Sequence, residues 1–79
     1  MFLEIITPEK KVFAGEVTSV QVPGASGQFQ ILKNHAPIIS LLANGKVKIK
    51  TASGTQSFDV KGGVVEVLKN KIVVLTVSA

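Results

Sequence analysis

His35 is the only imidazole in a 79-residue chain that has no cysteine. Acid–base or metal chemistry would have to be built from it and from Glu4, Glu9, Glu16, Asp59 and Glu66. These five carboxylates are scattered, and none forms the pair that general acid–base work requires. A zinc site would have carboxylates alone as partners for His35. No nucleophile elbow is present to start a Ser-His-Asp reading. Gly24-Ala25-Ser26-Gly27 has the small residues of a phosphate loop, but not the Walker spacing or its Lys-Ser/Thr. No helix follows it to hold an anion at an N-terminus. It reads as two adjacent turns needing positive φ. Catalysis, a metal and a cofactor are therefore not expected, and His35 reads as a structural or partner-contact residue.

Charge narrows the field further. The net charge is +4, and every positive side chain is a lysine. Arginine, whose planar fork suits phosphate and guanine, is absent. Of the aromatic residues only Phe2, Phe13, Phe29 and Phe58 are available to stack on bases. A small basic module binding nucleic acid is therefore the alternative reading, resting on the row Lys46, Lys48, Lys50. No apolar run approaches the ~20 residues that cross a bilayer, and the start MFLEIITPEKK lacks the pattern of a signal peptide. Without cysteine, nothing points to an oxidising compartment. The expectation is a cytosolic chain forming one domain over residues 1–79, with no direct membrane insertion.

The elements that would position these residues are strands. Lys46, Lys48 and Lys50 alternate with Val47 and Ile49, the pattern of a half-buried strand. The same period of two sets Val20 and Val22 against Ser19 and Gln21, Phe29 and Ile31 against Gln28 and Gln30, and Phe58 and Val60 against Ser57 and Asp59. Turn signals lie at Ala14-Gly15, Pro23-Gly24, Ser26-Gly27, Asn44-Gly45, Ser53-Gly54, Gly62-Gly63 and Asn70-Lys71. Asn44-Gly45 suits a type I′ hairpin turn, and Ser53-Gly54 closes the hairpin after it. Val64 to Leu68 and Lys71 to Val77 are apolar on both faces, which predicts strands covered on both sides. Pro37 to Ala43 is the one segment with helical character, too short to stand alone. Short strands and frequent turns predict an all-β sandwich or barrel.

The stretch VQVPGASGQFQILKNHAPI resembles the epsilon subunit family of F-type ATP synthases. Val22, Gly24, Gly27, Ile31, Leu32, His35, Ala36 and Pro37 match the family pattern. Gly62-Gly63-Val64-Val65-Glu66-Val67 is similar to its second motif, G-G-x-x-E-V. Leu3 to Thr7 and Phe13-Ala14-Gly15 resemble its first two strands. The likeness runs from residue 2 to residue 77. Gln30 and Lys33 depart from it, standing where the family often has glycine and proline. The family's helical hairpin, with its inhibitory and ATP-sensing role, follows the last strand and is not carried over.

The resemblance implies a flattened ten-stranded β-sandwich of two five-stranded sheets. It implies a non-catalytic rotor subunit of the central stalk, peripheral on the cytoplasmic face of the bacterial inner membrane. Such a subunit binds the gamma subunit and the ring of c subunits and helps couple proton flow to ATP synthesis. Carried over by position, Ser26, Gly27 and Gln28 face the c-ring, and Thr7, His35 and Ser40 lie on the gamma side. Gln28 stands where relatives often carry an acid. A lipoyl- or biotinyl-type carrier is a third reading; its hairpin tip would be Asn44-Gly45-Lys46, which lacks the flanking signature.

Overall fold

A computed structural model describes residues 1–79, which form nine strands and no helix. The strands are β1 (Phe2–Ile6), β2 (Lys11–Glu16), β3 (Ser19–Gly24), β4 (Gly27–Ile31), β5 (Ile38–Leu42), β6 (Gly45–Thr51), β7 (Gly54–Val60), β8 (Gly63–Leu68) and β9 (Lys71–Leu75). One layer runs β2-β1-β9-β8-β5, and the other runs β4-β3-β6-β7. Pairing is antiparallel except between β1 and β9, where the first and last strands lie side by side in parallel.

The expectation of ten strands in two separate five-stranded sheets is corrected in two ways. There are nine strands, five in one layer and four in the other. The layers also join at a corner. Gly24 pairs with Leu42, the Ala25 amide donates to the Leu41 carbonyl at 2.8 Å, and the Ala43 amide donates to Pro23 at 2.7 Å. The result is a curled sheet folded over its own core, a sandwich closed along one edge.

The period-two pattern explains the core. Leu3, Ile5, Leu42, Val65, Val67, Ile72 and Val74 of the first layer face Val20, Val22, Ile31, Val47, Ile49 and Val60 of the second. Val17, between β2 and β3, completes the cluster. Each fully buried aliphatic contributes about 1.5–3 kcal/mol. Lys46, Lys48 and Lys50 point outward while Val47 and Ile49 are fully buried.

Several turn expectations change in the structure. Ser53-Gly54 does close the β6–β7 hairpin, with Thr51 opposite Gly54. Asn44-Gly45 does not make a hairpin: β5 and β6 do not pair with each other, and both pair with β3. The chain crosses there from one layer to the other. Gly45 is needed for space, because a Cβ on it would come 2.8 Å from the Pro23 side chain. Ala14-Gly15 and Pro23-Gly24 lie inside strands, and the last turn uses Lys69 and Asn70 rather than Asn70-Lys71. Pro37 to Ala43 is not helical, since β5 occupies Ile38–Leu42. It pairs with β8 along five consecutive register positions, which holds it extended.

Candidate docking surfaces

The β3–β4 hairpin presents the predicted c-ring residues. Ser26, Gly27 and Gln28 are all exposed at its tip. The tip is tight. A Cβ on Gly24 would sit 2.6 Å from the Gly27 carbonyl and 2.8 Å from the Phe29 ring. Gly27 itself has φ of 134°, outside the range of ordinary side-chain-bearing residues. Only one of the two glycines therefore needs positive φ; Gly24 is required for close approach. Gln28 stands directly opposite Pro23.

The predicted gamma-side residues are not brought together. Thr7 is buried at the end of the sandwich that also holds the Ser26-Gly27 tip. Its hydroxyl donates to the Lys10 carbonyl at 3.1 Å and accepts from the Lys10 amide at 3.2 Å, so it closes the β1–β2 turn. His35 lies at the opposite end, where the Asn34 amide donates to Asn70 Oδ1 at 3.1 Å. A five-residue strand, about 17 Å, separates the two ends. His35 is half-buried rather than fully exposed, with Nδ1 2.7 Å from the Ala36 carbonyl oxygen. Ser40 sits midway along β5, half-buried and opposite the core residue Val65.

The same five-stranded layer has an outer face that the sequence pattern places under cover. The inner sides of β8 and β9 are buried, but their outer sides are not. Leu41, Val64, Leu75 and Ile6 oppose one another in an unbroken row across β5, β8, β9 and β1. Ile39, at 73% exposure, extends the row towards His35 and Pro37. At the other end Ile6, Thr7, Pro8, Leu75 and Val77 line a groove of about 340 Å³. The signal was present in the sequence as strands apolar on both faces. Contiguous apolar surface of this kind marks an interaction site.

The outer face of the four-stranded layer is polar. Gln30, Gln21, Lys48 and Ser57 oppose one another across it, and Lys46 is paired with Asp59 at 3.0 Å. No phenylalanine is exposed beside this lysine row to stack on a base. Glu4 lies on the outer face of the five-stranded layer, where Lys11 and Lys71 reach it. A hydrogen bond from Lys11 at 2.7 Å, opposed by desolvation, and the charges of Lys11 and Lys71 hold its carboxyl pKa below the usual range. No three His, Asp or Glu side chains gather where a metal ion would sit. No helix is long and apolar enough to cross a membrane.

The sequence matches the family described as ATP synthase, delta/epsilon chain, beta-sandwich domain, across residues 1–79. The chain belongs to that family. Among its members, the ATP synthase epsilon chain of Chlorobium limicola is 48% identical over 75 residues, covering 94% of this chain and 85% of that one. The epsilon chain of Chlorobaculum tepidum is 44% identical over the same shares. That of Leptospira borgpetersenii is 40% identical over 74 residues but extends further, so the match covers 58% of it.

The fold of this epsilon-type sandwich recurs in solved structures. A chain of the Euglena gracilis mitochondrial ATP synthase in rotational state 1 superposes with a TM-score of 0.89 at 19% identity. A chain of the Tetrahymena thermophila mitochondrial ATP synthase, from its central stalk and c-ring, superposes with a TM-score of 0.83 at 19% identity. Both alignments cover 96% of this chain, but only 49% and 62% of the larger chains. The epsilon-type domain thus spans about half the length of the Euglena chain, and at this identity the likeness is one of fold.

Proposed function

We propose that residues 1–79 act as one docking domain in the central-stalk rotor of a proton-translocating F-type ATP synthase. The domain binds the gamma subunit and the c-ring, helps couple proton flow to ATP synthesis, and carries out no bond chemistry itself. It works at the cytoplasmic face of the bacterial inner membrane as a peripheral component.

The observation that carries this reading is the pairing of two unlike surfaces on one rigid body. The apolar row Leu41, Val64, Leu75, Ile6 suits a large permanent interface. We assign the outer face that carries this row to gamma, with Thr7 at its β1 corner beside Ile6, His35 beyond β5 at the opposite end of the strands, and Ser40 on β5 beneath Ile39 and Leu41. The exposed Ser26-Gly27-Gln28 tip is compact and neutral, and we assign it to the c-ring. A stiff connection between two such contacts is what transmission of rotation needs. A curled sheet with 37 strand hydrogen bonds and one continuous core supplies it.

The test is co-purification of the folded chain with the cognate gamma subunit and with a gamma–c-ring assembly. Stable complexes are expected with both. A folded chain with no affinity for either would overturn the reading.

A further inference from the structure

The apolar outer face contains one charge that the chain leaves without a partner. In the row beside Leu41 and Val64, Ile39 opposes Glu66, Glu66 opposes Val73, and Val73 opposes Glu4. The two acids of this row are treated differently. Glu4 is 2.7 Å from the Lys11 ammonium and 3.5 Å from that of Lys71. Glu66 belongs to none of the four ion pairs and makes no side-chain hydrogen bond. It lines two grooves of the surface, which share Leu68 as well. One, of about 350 Å³, is lined by Pro37, Ile38, Ile39, Val67 and Leu68 as well as Glu66. The other, of about 160 Å³, adds Lys71 and Val73. Lys71 reaches that second groove, but its ammonium is engaged by Glu4.

A partner that covers this face strips water from Glu66. A carboxylate buried without a counter-charge is strongly unfavourable, whereas one that meets a cation of good geometry is not. We infer that the docking surface of the partner presents a single lysine or arginine to Glu66, ringed by apolar residues that meet Ile39, Leu41, Val73 and Leu75. This rests on the assignment of the face to gamma. The apolar contacts supply adhesion. Glu66 supplies selection, because a neutral or acidic residue at the matching position leaves the carboxylate buried and unpaired.

The experiment measures binding of purified cognate gamma subunit to the wild-type chain, E66Q, E66K and the opposite-face control K48Q, at two salt concentrations. Thermal unfolding of each variant is recorded alongside. E66Q is expected to bind roughly thirtyfold more weakly or worse, with a flatter salt dependence, and E66K more weakly still. K48Q is expected to bind as the wild type does, and all four chains to unfold at similar temperatures. Wild-type binding with E66Q unchanged would overturn the inference and leave the functional reading standing. A wild-type chain that ignores gamma would overturn both.

Discussion

Phe13 on β2 and Phe58 on β7 meet with ring centroids 5.7 Å apart and planes tilted by 58°. Each belongs to the free edge strand of its own layer, so this contact shuts the sandwich opposite the β3–β5 corner. Truncating either half-buried ring should cost about 2 kcal/mol. A double-mutant cycle of F13A and F58A in urea should return a coupling of about 0.5–1.5 kcal/mol. A coupling of zero would mean that the rings are neighbours without supporting each other.

The hairpin tip offers a test of the proposed c-ring contact. G24A forces a methyl against the Gly27 carbonyl and the Phe29 ring. Overpacking of this kind costs about 1–3 kcal/mol and should lower the unfolding midpoint. Q28A removes a side chain from an exposed site without touching the core, so stability should change by less than about 0.5 kcal/mol. Any loss of c-ring binding by folded Q28A then belongs to the contact itself.

Leu41 and Leu75 are exposed at 66% and 49% in the free chain. L41D and L75D should therefore fold with little change in denaturation midpoint. Both should abolish detectable capture of gamma in a pull-down, because each places an unpaired carboxylate in the middle of an apolar contact. Unimpaired capture by both variants would overturn the proposed assignment of this face to gamma.

Glu4 makes stability depend on acid. Its folded-state pKa is depressed, chiefly by the hydrogen bond from Lys11. The stabilisation is therefore complete above the unfolded pKa and disappears as pH falls through the depressed folded value. E4Q should be less stable than the wild type at neutral pH, and the two should converge in strong acid. Urea titrations at a series of pH values provide the check; a gap that persists at the lowest pH would assign the loss to packing rather than to charge.

Much of this architecture is legible in particular residues. Alternation in Lys46 to Lys50 places Val47 and Ile49 in the core, as observed. The stretch from Val20 to Pro37 identifies the family, and Gly27 has the positive φ expected of a turn glycine, whereas Gly24 lies within β3. The errors share one cause. Asn44-Gly45 has the chemistry of a hairpin turn, but whether adjacent strands pair is decided by which edge is free, and β3 offered its edge to both β5 and β6. Lys71 to Val77 has apolar residues on both faces, and a strand cannot report whether its second face meets its own chain or a different one.

The sequence by itself determined the all-β class and the inward-facing residues of the alternating strands, such as Val47 and Ile49. Side-chain period, backbone sterics and composition are local properties, carried by each short segment. Only the tertiary structure decided that nine strands curl into one sheet, and that Thr7 and His35 lie at opposite ends. It alone set Leu41, Val64, Leu75 and Ile6 in one row beside an unpaired Glu66. Those are matters of register between strands distant in sequence. Register is set where the whole core packs at once, so no single segment encodes it.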